Sequence, residues 1–354
     1  MHKSGQLVIL AVALLFLSSC GATENTVNEA PNMTSQVTEE EQQQAQNTVP
    51  TWEERNPPVA SAIPQTGMTQ PVPAEYLEPA NQQGSVVRLD YESKDYVRDS
   101  ASVTKTAYVY LPYGYDDADL ETRYDVLYLM HGWGGQEGEY FTISNGSIKN
   151  MFDHLIENGE IPPTIIVSAT FYTEYSSRDF GSSEDELREF HQDFVNHLMP
   201  AVEGQYHTYA ASTSTQDLMA SRDHRAFGGF SLGSVTTWME FCYDSDYIRY
   251  YLPMSGACWY FGGYGDYYPE ETCDFFEDLI AEHDLNERGY FIYATTGTND
   301  TVRNQVEIQM QEMLARSDVF TPDHVMYYQK EGGRHDFEAV QEYLYNALPL
   351  FFVQ

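Results

Sequence analysis

Two hydrophobic rhythms run along the chain. GSVVRLDYES, from Gly84, and KTAYVYLPYGY, from Lys105, alternate apolar and polar positions with a period of two, the pattern of an antiparallel strand pair. YDVLYLMHG and TIIVSA are instead continuous apolar runs, as expected of strands covered on both faces. HRAFGGF, YYLPMSG, GYFIYATTG and HVMYYQK are further strands. Helical spacing predicts helices over Ile148–Asn158, through SSEDELREFHQDFVNHLMPAVEGQY with a capped start, through VTTWMEFCY, and around Glu270–His283, Val302–Arg316 and Asp336–Leu348. Strands alternating with helices predict an α/β fold: a largely parallel central sheet, helices on both faces and an antiparallel N-terminal strand pair.

This folded body is expected over residues 75–354, without an internal repeat or a second linker. The N-terminus reads differently. Met1-His2-Lys3 gives a positive start, and Leu7 to Leu17 is an apolar run too short for a comfortable membrane span. It ends at Leu17-Ser18-Ser19-Cys20, so residues 1–20 resemble a bacterial lipoprotein signal with the lipid on the Cys20 thiol; the alternative is a plain secretory peptide. Either predicts export, the first to the outer face of a bacterial cell membrane, held by the lipid anchor alone. Residues 21–74 are rich in Thr, Gln, Glu, Asn and Pro with no apolar period, and are expected to be a disordered tether.

Charge narrows the partners. The chain has 54 acidic and 18 basic residues, a formal net charge of −36. Such a surface repels nucleic acid and anionic lipid and favours a neutral or weakly charged substrate. The 28 tyrosines are mostly ordinary strand residues, though their flat faces and polar tips also suit sugar rings and phenols. After Cys20 three cysteines remain, Cys242, Cys258 and Cys273, which allow one internal bridge at most. Cys258 and Cys273 are the closer pair in sequence; free buried thiols are the alternative. No C-x-x-C pair or His/Cys cluster suggests a metal site, and no cofactor is expected.

The candidate chemistry centres on Gly229-Phe230-Ser231-Leu232-Gly233, a G-x-S-x-G pattern between a strand and a helix. The turn between them would force the serine into a strained conformation, and only glycine at its flanks avoids colliding with neighbouring backbone. A serine hydroxyl needs a histidine to take its proton and a carboxylate to orient that histidine, in the order Ser, Asp or Glu, His. Of ten histidines, His335 in EGGRHDF is the best placed, after the last strand and before the last helix. His154, His191 and His197 lie on helices, and His324 lies at the wrong end of its strand. Asp300 in TTGTNDTV follows the penultimate strand; its other reading is a cap for the helix near Val302. Asp336 adjoins His335 too closely, and Asp266, Asp274 and Asp278 are weaker alternatives. An oxyanion needs two main-chain N–H donors. Leu232 supplies one, and the Gly-rich turn LMHGWGG supplies the other, from Trp133 with Gly134 as the alternative. CWYFGGYGDYY, residues 258–268, is either a wall of the substrate cleft or a packed loop.

The segments YVYLPYGYD, YDVLYLMHGWGG, FGGFSLGS, LPMSG, GTNDT and GGRHDF together resemble the family 1 carbohydrate esterases, the feruloyl and acetylxylan esterases within the esterase D-like α/β-hydrolases. The similarity spans roughly residues 85–350. It implies an α/β-hydrolase fold, a triad of Ser231, Asp300 and His335, and an oxyanion amide at Trp133. Leu232 and Arg334 stand where the family often has Met and Gly, which changes the pocket wall and leaves every catalytic group in place.

The expected function is therefore an exported serine esterase that removes feruloyl, another hydroxycinnamoyl, or acetyl groups from plant cell-wall xylan or its oligosaccharides. Its activity should fall at acid pH as the imidazole protonates. The alternatives are a siderophore esterase or acyltransferase on the same fold, and a non-catalytic carbohydrate-binding lipoprotein, against which the complete triad speaks.

Overall fold

The computed structural model describes residues 64–264 and 268–353. The signal with Cys20, the tether up to residue 63 and Asp266 lie outside these residues. Among the described residues nine strands form one sheet: β1 (Thr66–Met68), β2 (Ser85–Asp95), β3 (Ala101–Leu111), β4 (Asp125–Met130), β5 (Thr164–Ala169), β6 (Arg225–Phe230), β7 (Tyr250–Met254), β8 (Phe291–Gly297) and β9 (Val325–Lys330). Their spatial order is β1-β9-β8-β7-β6-β4-β5-β3-β2. β2 pairs antiparallel with β3, and β3 with β5; the remaining pairs are parallel. The strand and helix pattern led us to expect a largely parallel sheet with an antiparallel N-terminal pair, and the arrangement is the α/β-hydrolase fold that the resemblance implied.

Alternation in the central strands feeds two cores. Val126, Tyr128 and Met130 of β4 face one side, and Leu127 and Leu129 the other. Helices α1 (Ser147–Glu157) and α7 (Phe337–Ala347) cover the second face through Met151, Phe152, Val340 and Leu344. The first face is covered by α2 (Phe180–Asp193), α3 (Met199–Gln205), α4 (Leu232–Asp244), α5 (Pro269–Glu282) and α6 (Arg303–Ala315). Trp238 of α4 stacks on Phe276 of α5, and Phe241 meets Phe276 edge-on. Burial of each such ring contributes about 1.5–3 kcal/mol.

Two expectations change. The tether does not run to residue 74: Thr66–Met68 pairs with Tyr327–Gln329 as an edge strand, with Tyr327 N–H donating to Gln65 O at 2.9 Å and Thr69 N–H to Gln329 O at 2.9 Å. A three-residue edge strand is held by the open main-chain groups of its neighbour, so it carries no hydrophobic period to read. The long helix expected over 182–206 starts instead at Phe180, where the Asp179 carboxylate accepts from Ser182 N–H, and it passes through a π-helical turn at Phe194–Leu198 before α3. Pro200 explains the wider turn: its ring has no N–H and would clash with the carbonyl four residues back in a regular α-helix.

At the N-terminal end of β6, Arg225 is buried and spends all five guanidinium donors. Two go to the Glu203 carboxylate at 2.6 and 2.8 Å, and the others to Leu218 O, Tyr247 O and Ser221 Oγ. Both side chains are 1% exposed, and Tyr128 and Thr208 hydroxyls also donate to Glu203. The substitution Glu203→Ala leaves a buried guanidinium without its counter-charge. It is expected to lower unfolding free energy by about 3–5 kcal/mol in chemical denaturation.

Candidate active site

β6 runs into α4 through a single residue, Ser231, held at φ 59° and ψ −117°. A non-glycine residue is strained in this left-handed region and persists only where its surroundings hold it. Ser231 N–H donates to Met254 O at 2.9 Å, and Ser234 N–H donates to Ser231 O at 2.9 Å. The flanking glycines are required by close approach. A Cβ on Gly229 would lie 2.4 Å from Gly233 O, and one on Gly233 would lie 2.1 Å from Met130 O.

The loops after β8 and β9 bring Asp300 and His335 to this serine. Asn299 N–H donates to Gly333 O at 2.9 Å, and Gly332 N–H to Thr298 Oγ1 at 2.7 Å, so the two loops are laced together. The Asp300 carboxylate can only accept, so Nδ1–H of His335 donates to its Oδ1, at 2.9 Å. Nε2 is then the acceptor, and the Ser231 hydroxyl donates to it at 2.9 Å. The Asp300 side chain is fully buried, whereas that of His335 is 25% exposed and reaches the surface. Asp300 Oδ1 also accepts from Val302 N–H at 2.9 Å, while the helix that follows starts at Arg303 without a side-chain cap. The rival groups serve elsewhere: Asp336 caps α7 by accepting from Ala339 N–H, Asp274 pairs with Arg316, and His324 stacks on Tyr290. The Asp278 side chain makes no hydrogen bond or ion pair among the described residues.

The loop after β4 lies directly over the serine. A Cβ on Gly132 would stand 3.1 Å from Ser231 Cβ. Gly134 N–H, the alternative oxyanion donor, donates to the Tyr172 hydroxyl at 3.1 Å. Among the described residues the main-chain N–H groups of Trp133 and Leu232 have no hydrogen-bond partner. Four residues that hold this loop escaped the sequence reading. His131 is fully buried; its Nδ1–H donates to Gly132 O at 2.7 Å, and its Nε2 accepts from the Thr170 hydroxyl at 2.7 Å. The Arg178 guanidinium lies 4.7 Å from the Tyr172 ring centre, and its carbonyl accepts the Trp133 indole N–H at 3.1 Å. The sequence signal was position alone: Thr170 and Tyr172 follow the C-terminal end of β5.

Above Ser231 opens a cleft of ≈540 Å³ whose aromatic walls are Trp133, Phe180, Trp259 and Tyr264, with Gln305 adding a polar group. The rings touch in sequence around it, Trp133 to Phe180 at 5.5 Å, Phe180 to Trp259 at 6.1 Å and Phe180 to Tyr264 at 5.7 Å. The described residues of the 258–268 segment fill both roles considered for it. Trp259 and Tyr264 line the cleft, while Tyr260 stacks on Phe275 of α5 at 4.2 Å.

The chain matches the family model described as "Putative esterase" over residues 102–351. It is 35% identical over 289 residues to endo-1,4-beta-xylanase Y of Acetivibrio thermocellus, covering 80% of this chain. It is 31% identical over 179 residues to an endo-1,4-beta-xylanase/feruloyl esterase of Xylanibacter ruminicola, covering 50% of this chain. The chain spans only 24% and 22% of the lengths of these two relatives. A solved feruloyl esterase module from Clostridium thermocellum, complexed with sinapinate, is similar at 35% identity and a TM-score of 0.68, covering 80% of this chain and 94% of that one. A ferulic acid esterase from Anaeromyces mucronatus shares the fold at 19% identity and a TM-score of 0.59, covering 80% of this chain and 98% of that one.

Burial holds the His131 imidazole down at about 4, so it stays neutral and keeps the tautomer that the loop needs. A histidine depressed in the folded state is protonated first in the unfolded chain, so stability falls as pH drops from about 6.5 toward that value. In denaturation curves across this window, His131→Gln, with no group to protonate, is expected to show a flatter pH dependence than the natural protein.

Proposed function

The chain belongs to the esterase family, and on that premise we propose that it is a serine carboxylic-ester hydrolase that removes feruloyl or related hydroxycinnamoyl groups from xylan. The observation that carries this reading is the aromatic cleft directly above Ser231, hydrogen-bonded in series to His335 and Asp300. A planar phenolic acyl group can lie among Trp133, Phe180, Trp259 and Tyr264, whereas an acetyl group would leave most of their faces uncovered. The names of the similar proteins, a xylanase/feruloyl esterase and a feruloyl esterase module, support the same substrate class.

The proposed reaction uses these groups in two halves. His335 Nε2 takes the Ser231 proton as Oγ attacks the ester carbonyl, and the buried Asp300 carboxylate stabilises the resulting imidazolium. The oxyanion is received by the main-chain N–H groups of Trp133 and Leu232, the second at the start of α4, where the helix dipole favours negative charge. His335 then gives its proton to the departing sugar hydroxyl, leaving an acyl-Ser231 ester. Water attacks that ester with His335 again as base, and the free acid departs. No cofactor enters this sequence.

We also propose that the protein is exported and carries its lipid on Cys20, supported by the apolar run Leu7–Leu17 ending at Leu17-Ser18-Ser19-Cys20. A Cys20→Ser change is then expected to move the protein from the membrane fraction to the soluble one. Retention in the membrane fraction would count against the anchor.

Acid release is to be measured side by side from feruloylated arabinoxylan and acetylated xylan. Ferulate release is expected to dominate and to vanish in Ser231→Ala, while Asp300→Asn lowers kcat about ten-thousand-fold. Acetate as the main product would reassign the acyl group, and undiminished turnover by Ser231→Ala would overturn the nucleophile.

A further inference from the structure

The helix that follows Ser231 carries a second reactive side chain that the hydrolysis does not use. Ser234, Trp238 and Cys242 of α4 are four residues apart, so they lie one above another on one helix face. The first two grip the same atom of the loop after β7: the Ser234 hydroxyl donates to Gly256 O at 2.9 Å and the Trp238 indole N–H donates to it at 3.0 Å. From there the loop climbs the helix. Tyr260 continues the climb, with its ring 5.8 Å from that of Tyr243. Cys258 is fixed at its main chain, where its N–H donates to Gln309 Oε1 of α6 at 2.7 Å. The two thiols are in side-chain contact, and both are reduced. Cys273, the nearer cysteine in sequence, lies buried on α5.

We propose that Cys242 and Cys258 are a redox-modifiable pair whose disulfide staples the loop carrying Trp259 to the helix that carries the nucleophile. Cys258 is half-buried and meets an oxidant first; Cys242 is buried. Burial, and then contact with Cys258, pushes the Cys242 thiol well up, which keeps it from reacting alone. With a small-molecule disulfide as oxidant, the Cys258 thiolate attacks one sulfur and expels one thiolate. The Cys242 thiolate then attacks Sγ of that mixed disulfide and expels the second. Two protein thiols are oxidised, one external disulfide is reduced to two thiols, and the two cysteine protons end on the two expelled thiolates. Because Leu232 and Val235 of α4 and Trp259 of the loop line one cleft, the staple would join two of its walls. That consequence rests on the esterase reading; the cross-link itself does not.

The test uses the full chain, reduced and then equilibrated with oxidised glutathione. Thiols are counted after denaturation, and linked peptides are mapped by mass. A peptide joining Cys242 to Cys258 is expected, with a rise in Tm of about 5 °C that a dithiol reductant reverses. Cys273→Ser should behave as the natural protein does, and Cys242→Ser should show neither the link nor the shift. Retention of all thiols, glutathione stopped on Cys258, or a bond to Cys273 or Cys20 would overturn the proposal. None of these readouts involves ester hydrolysis, so a failed esterase reading would leave the result intact.

Discussion

The structure is organised around the conformation of one residue. Ser231 occupies a backbone region that side chains disfavour, at the point where β6 becomes α4. The turn can be that sharp only because Gly229 and Gly233 let strand, helix and the carbonyls of Met130 and His131 meet within van der Waals limits. The same contact seats the β4 loop against the serine. The position of the Ser231 side chain and that of the Trp133 amide are therefore consequences of one packing event.

The energetic burden falls on the layers beneath. The strain at Ser231 is held by hydrogen bonds to Met254 and within the first turn of α4, and that helix is anchored in turn by Trp238 and Phe241. The opposite end of β6 is fixed by Arg225, whose five donors are all matched in a buried site. A strand pinned at one end by a satisfied charge network and at the other by a glycine-bounded turn leaves the serine little freedom. Such rigidity is what a site needs if its groups are to meet a reacting atom without reorganising.

Around Ser231 the groups that hold the β4 loop are largely uncharged. In a chain of net charge −36, the β4 loop is held by an uncharged histidine, a threonine hydroxyl and a tyrosine, with Arg178 stacked on the tyrosine face. Burial keeps His131 uncharged, so the loop's hydrogen bonds have fixed donors and acceptors. The cleft above Ser231 is walled by aromatic rings.

Whatever depends on neighbours in sequence could be read directly from the chain. The period of two in β2 and β3, the unbroken apolar runs of β4 and β5 and the helical spacing of α1 and α4 lay in plain view, because each reflects side chains a few residues apart facing one core. The G-x-S-x-G turn and the strand-end positions of Asp300 and His335 were legible for the same reason. Tertiary structure alone decided the rest. Edge strand β1 is held by main-chain groups of β9, which no side-chain pattern reports. Trp133, Phe180, Trp259 and Tyr264 come from separate loops, so a cleft wall exists only once the sheet brings those loops together. Cys258 lies beside Cys242 rather than Cys273 because Gly256 is tied to one face of α4, and distance along the chain carries no information about that face.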